Sequence, residues 1–112
     1  MAKKAILLIP LTYNDGSQVS DEILDSIFEA LFVLSGGYTT AGTVRGAYRM
    51  RDGSKQTDVL EQVWIAYKDE DKPALRELVG RFCALLGQET MYLEFADSLI
   101  EFISPHEEAS SK

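Results

Sequence analysis

The sequence predicts an α+β fold with the element order βαββαβ: one sheet with two helices packed on it. Three observations carry this. Two stretches, Ala5 to about Met50 and about Val59 to Phe95, repeat one pattern: an apolar extended run, an amphipathic helix, then a second extended run. The length of 112 residues suffices for one domain and not for two. A hydrophobic content of 46% supplies a core and argues against disorder.

The first strand, Ala5–Leu11, is apolar at nearly every position, which predicts a central strand covered on both faces. Thr12–Gln18 is a turn-rich loop in which Asn14-Asp15-Gly16 suits tight conformations. Ser20 is a good helix N-cap, Val19 and Leu24 sit at the positions of a hydrophobic staple, and Asp21 and Glu22 complement the helix dipole. Ile23, Leu24, Ile27, Phe28, Leu31 and Phe32 recur at helical spacing as a buried stripe. Gly36-Gly37 ends the helix, because glycine takes the left-handed C′ position without strain.

Tyr38–Gly42 leads into a second strand at about Thr43–Met50, and Arg51–Lys55 carries a turn signal. Val59–Tyr67 predicts a third strand, again apolar on both sides. Asp69–Pro73 opens the second helix, where Pro73 is tolerated in the first turn. Leu75, Leu78, Val79, Phe82, Leu85 and Leu86 form its stripe and Gly87 its stop. Met91–Phe95 predicts the fourth strand. Ser98–Ile103 suits a further strand better than a short helix, and Pro105–Lys112 is a polar tail expected to be disordered, so that residues 1–104 form the domain.

A two-layer domain leaves one sheet face open. The strands Ala5–Leu11 and Val59–Tyr67 are apolar toward that face as well, and monomers rarely leave a large contiguous apolar patch in water. The face is therefore expected to be covered, most simply by a second copy in a symmetric homodimer.

Charge and composition exclude several classes. A net charge of −7 disfavours nucleic-acid binding, which draws on clustered Lys and Arg. The lone Cys83 forms no internal disulfide, consistent with a reducing, cytoplasmic setting. Lys3-Lys4 before an apolar run imitates a signal peptide, but Pro10 interrupts the run and no small-x-small site follows. No stretch approaches the ~20 apolar residues of a membrane span.

The chemistry-bearing residues are sparse. The single histidine, His106, lies in the expected tail, which removes Ser-His-Asp and Cys-His catalysis and any zinc cluster. No Walker A loop and no G-x-G-x-x-G is present, so no metal and no cofactor are expected. Cys83, inside the second helix, reads as a structural thiol. Arg45 and Arg49 share one side of the second strand, roughly 13 Å apart, and suit an anionic ligand or ion pairs. Gln88 and Glu89 lie where the second helix turns into the fourth strand; a carboxylate there serves as a general base or ties loops together by accepting backbone N–H groups. Tyr13 and Tyr38 are the aromatic side chains best placed to line a pocket, each in a loop beside glycine.

Asn14-Asp15-Gly16-Ser17, Gly37-Tyr38-Thr39-Thr40, Ala41-Gly42, Arg49–Gly53 and Gly87-Gln88-Glu89-Thr90 occur in an order that resembles a family of short bacterial proteins of unknown function. The resemblance spans about Leu7–Phe95. It implies a ferredoxin-like fold, one antiparallel four-stranded sheet with both helices on one face, and it supplies no activity. A shared site would fall on Asp15, Tyr38, Thr39, Gly42, Gln88 and Glu89.

Taken together, these residues favour a small dimeric, non-catalytic module that binds a protein partner or a small anionic ligand, with Tyr13, Tyr38, Thr39, Arg45, Arg49 and Gln88 as contacts. The alternative is a small dimeric enzyme using Glu89 or Asp15 as base on an anionic substrate; a third reading is an acidic inhibitor of a basic macromolecular site. The enzyme reading requires a concave pocket where at least two of Glu89, Asp15, Arg45 and Arg49 meet.

Overall fold

A computed structural model describes residues 3–96 and 100–106. The chain forms β1 (Lys3–Pro10), α1 (Asp21–Ser35), β2 (Tyr38–Arg49), β3 (Lys55–Tyr67), α2 (Lys72–Leu85), β4 (Met91–Phe95) and β5 (Ile100–Ile103), with a 3₁₀ turn at Asp69–Asp71 ahead of α2. The fold is α+β: two helices and one antiparallel sheet of five strands in the order β2-β3-β1-β4-β5. The count corrects the expected four-stranded sheet, because the apolar Ile100–Ile103 segment pairs along β4 as the optional C-terminal strand. Ser98 and Leu99 lie outside the described residues.

The core lies between the helices and one face of the sheet. Ala5, Leu7 and Ile9 of β1 are fully buried there, flanked by Val63 and Ile65 of β3 and Leu93 and Phe95 of β4. Ile27 and Leu31 of α1 and Leu75, Val79 and Cys83 of α2 close over them. Burying a single Leu or Ile stabilises by roughly 1.5–3 kcal/mol, so this layer fixes which face the helices cover. The stripe of α1 is narrower than its spacing suggests. Phe32 is half-exposed, because it sits about 100° around the helix from Leu31.

The first helix begins and ends at the expected signals. Ser20 Oγ accepts the Ile23 N–H at 3.2 Å, and Gly36, at φ +82°, donates its N–H to Phe32 O at 2.8 Å. That glycine turns the chain so sharply that β2 starts at Tyr38 and not at Thr43. A β-bulge between Thr40 and Thr43, with Gly42 at φ +108°, absorbs the irregular residues that suggested a loop. Strand β3 likewise starts at Lys55 instead of Val59.

These extensions build an arm. The pairing of β1 with β3 stops at Pro10 and Leu60, with one more bond from Leu11 N–H to Val59 O at 2.9 Å, so the segment Lys55–Asp58 pairs with β2 alone. A tight turn closes the arm: Met50 N–H donates to Ser54 O at 2.8 Å, and Asp52 Oδ1 accepts the Ser54 N–H at 2.9 Å. The arm tip reaches across to the α2–β4 connection, where Glu89 Oε1 accepts the Arg51 N–H at 3.2 Å.

The expected tail also begins with structure. His106 N–H donates to Gly80 O on α2 at 2.9 Å. Residues 107–112 lie outside the described residues.

Candidate functional site

The arm, the end of β1, the α2–β4 connection and strands β4 and β5 enclose a concavity on the sheet face away from the helices. Strand alternation selects its lining. Leu8 of β1, Tyr48 of β2, Asp58 and Leu60 of β3, Tyr92 of β4 and Phe102 of β5 all point to that face, and Gln88 and Glu89 close one end. The enclosed part measures about 60 Å³ and opens into a wider groove.

Asp58 is the most informative residue. The residue is 5% exposed, and Oδ1 accepts from Gln56 Nε2 at 3.3 Å. A carboxylate is costly to remove from water, and its place beside the cavity suits a group that offers it positive charge. Two phenols flank it along the same face. Burial pushes the Tyr48 hydroxyl above its ordinary range, and the negative charge of Asp58 pushes in the same direction. Tyr92 donates its hydroxyl to Glu94 Oε1 at 2.7 Å; that hydrogen bond, then burial and the Glu94 charge, move it up to about 12. Both rings therefore stay neutral at physiological pH.

The sequence-predicted residues divide into two groups. Glu89, Gln88 and Arg49 line the concavity. Gln88 is nearly buried and donates to Leu86 O at 3.2 Å and to Asn14 Oδ1 at 3.4 Å, which ties the loop after β1 to the site. Glu89 is held between the Arg51 N–H and the Arg51 guanidinium, 4.0 Å away. Glu89 and Arg49 both border this concavity, and the partner that Glu89 contacts is Arg51.

The others are elsewhere. Asp15 is spent within its own loop: Oδ1 accepts from Ser17 Oγ at 2.6 Å and Ser17 N–H at 2.9 Å, and these bonds lower its pKa. This corrects its assignment as a base. Tyr13 packs against the core. Tyr38 lies in a strand and not a loop, stacks on Phe28 at 5.0 Å between centroids, and with Thr39 borders a separate shallow groove near Trp64. Arg45 sits on the side of β2 opposite Tyr48 and is not among the cavity residues. Asp58, Tyr48, Tyr92 and Phe102 escaped the sequence reading. The alternation Gln56-Asp58-Leu60 is the signal for Asp58, and it begins ahead of the expected β3 start at Val59.

Cys83 is buried, its thiol donates to Gln88 O at 3.2 Å, and burial pushes its pKa up to about 11. Among the described residues no group of three His, Cys, Asp or Glu side chains is placed to hold a metal ion. No described helix is long and apolar enough to cross a membrane.

No family model and no curated protein matches this chain. Two solved structures do. A phage SAM lyase in complex with S-methyl-5′-thioadenosine superposes with a TM-score of 0.70 over 92% of this chain and 89% of that one, at 18% identity. A phage SAM lyase in the apo state gives a TM-score of 0.67 over 96% and 93%, at 15% identity. The shared property is the fold. The finding corrects the expectation of a non-catalytic module, since this architecture, across nearly its whole length, is one that an enzyme uses. That the single histidine, His106, lies against α2 and not in the concavity excludes histidine chemistry there and no other.

Proposed function

We propose that this protein is a small enzyme that cleaves a sulfonium nucleoside of the S-adenosylmethionine type. The observation that carries the reading is the buried Asp58 beside the neutral rings of Tyr48 and Tyr92 in the concavity of a fold shared with a phage SAM lyase. A carboxylate and aromatic faces are the groups that attract a compact cation in a partly desolvated site. An anionic substrate fits this floor poorly.

The chemistry needs little from the protein. Breaking the bond between the sulfonium sulfur and the aminobutyryl Cγ leaves the electron pair on sulfur and releases neutral S-methyl-5′-thioadenosine, so no acid is required. The carbon fragment is completed by one of two routes. Glu89 removes a Cβ proton, or the substrate's own carboxylate displaces the sulfur. Incubation with S-adenosylmethionine and chromatography of the products tests the reading: thioadenosine and an amino-acid fragment should accumulate. No thioadenosine above the uncatalysed rate would sink it. Glu89→Gln separates the routes, since a general base is worth roughly 10²–10⁴ in rate.

The arrangement β2-β3-β1-β4 with both helices on one face supports classification as ferredoxin-like, with β5 appended. The open face also supports self-association. Trp64 is exposed there beside the half-buried Ile6 and Leu8, and the enclosed 60 Å³ is far below the ~300–1,000 Å³ of a typical ligand pocket. A second copy laid on this face supplies the missing wall. Sedimentation of the native protein should give more than one chain per particle.

A further inference from the structure

Phe102 is half-exposed at 54%, yet its position is fixed from two directions. Its backbone pairs with Tyr92 in the β4–β5 ladder, and the two rings meet edge to face at 5.8 Å and 88°. Four residues later the chain is pinned to α2 through His106 N–H and Gly80 O. Gly80 has no side chain to keep the strap away; a Cβ there would stand 2.6 Å from the His106 Cβ. An apolar ring held this firmly in contact with water, on the rim of a cavity, has area that a ligand can cover.

We propose that Phe102 is the platform on which the flat heterocyclic base of a nucleoside ligand stacks, and that it sets the preference for a nucleoside over a base-free sulfonium. The inference rests on the function proposed above and assigns the end of the site that Asp58 does not occupy. Asp58 lies on β3 and Phe102 on β5, separated by β1 and β4. Three strand spacings span roughly 14 Å along a flat sheet. That length suits a nucleoside extended by a charged side chain, with the cation at Asp58 and the base at Phe102. Stacking tolerates many bases because each has a π-face. Selectivity among bases would come from polar groups of the same concavity.

The test is calorimetric binding of S-methyl-5′-thioadenosine, adenosine and the base-free sulfonium S-methylmethionine to the native protein, Phe102→Ala and Phe102→Leu. Phe102→Ala should weaken both nucleosides about 5- to 150-fold, the range base–aromatic stacking spans. Phe102→Leu should recover only part of that loss, and S-methylmethionine should be unaffected. Thioadenosine affinity within twofold of the native value in Phe102→Ala overturns the proposal, as does equal weakening of all three probes. A changed sedimentation coefficient in Phe102→Ala also overturns it, since the ring would then belong to an interface. A native protein that binds thioadenosine without cleaving S-adenosylmethionine removes the proposed reaction and keeps the platform. One that binds neither nucleoside removes both.

Discussion

Gly80→Ala opposes two effects of known sign. Gly80 lies inside α2, where alanine is favoured over glycine by about 1 kcal/mol. The added methyl, however, lands 2.6 Å from the His106 Cβ and 3.4 Å from Ser104 O. The closer atom adjoins the backbone and cannot swing aside. Either the strap stays and the overpacking costs about 1–3 kcal/mol, or it lifts and forfeits the His106 N–H bond, worth about 1 kcal/mol net. The His106–Glu77 contact at 3.7 Å adds little, both side chains being half-exposed. Gly80→Ala alone should therefore leave stability unchanged or reduced by up to ~2 kcal/mol. Combined with His106→Gly, which removes the colliding atom and keeps the N–H, the same substitution should regain its stabilisation of about 1 kcal/mol. For a domain of this size that is roughly 4 °C in Tm. Thermal unfolding of the four proteins closes the cycle, with a coupling of about 1–3 kcal/mol between the two positions. Equal stabilisation by alanine in both backgrounds would refute the reasoning, because the strap would then not touch α2. Amide exchange at His106 gives an independent reading: protection should fall in Gly80→Ala.

Three further outcomes follow from the same geometry. Asp58→Asn keeps the shape and the Gln56 hydrogen bond but removes the charge, so thermal stability should hold while calorimetric affinity for a sulfonium ligand falls roughly 30-fold or more. Tyr92 should ionise only near pH 12 in an absorbance titration at the phenolate band, and Glu94→Gln should move that transition down. Because the folded pKa lies above that of an ordinary phenol, its stabilising contribution is complete below that ordinary value and is lost as pH rises toward 12. Cys83, with a thiol pKa near 11 and no solvent access, should resist alkylation at pH 8 in the folded protein and react once denatured; mass spectrometry of the treated protein reads this directly.

The elements with local signals were readable from the residues. Ser20, Asp21 and Gly36 mark the ends of α1, and the unbroken apolar run of β1 places it centrally, between β3 and β4. The start of β3 was not readable, because Lys55-Gln56-Thr57 belong to an arm beyond the end of β1, where no core imposes apolar alternation. The site suffered for the same reason. Glu89 and Gln88 stand out at a helix exit, but Asp58 becomes significant only when the arm brings it beside Tyr48 on the face that also carries Tyr92. Asp15 drew attention by its motif, and a serine two residues away satisfies it. Convergence across five strands is a property of register and twist, which spacing along one segment does not encode.

A site without histidine fits the proposed reaction better than most. Acyl and glycosyl transfers expel poor leaving groups and need a proton delivered in the transition state. A sulfonium departs as a neutral thioether, so its positive charge diminishes as the bond breaks. Groups that hold the cation tightly, Asp58 above all, then stabilise the ground state more than the transition state, which opposes the chemical step. The rate must come instead from conformation: holding the amino-acid portion so that its carboxylate or a base meets Cγ or Cβ at reacting distance. This ties turnover to the walls of the concavity more than to any one ionisable group. Asp58→Asn should therefore raise KM with little loss of kcat, whereas loosening the arm by Glu89→Ala, which frees the Arg51 N–H, should lower kcat. Steady-state kinetics on the two variants separates the cases, and a kcat collapse in Asp58→Asn with KM unchanged would mean that the carboxylate does the chemistry itself.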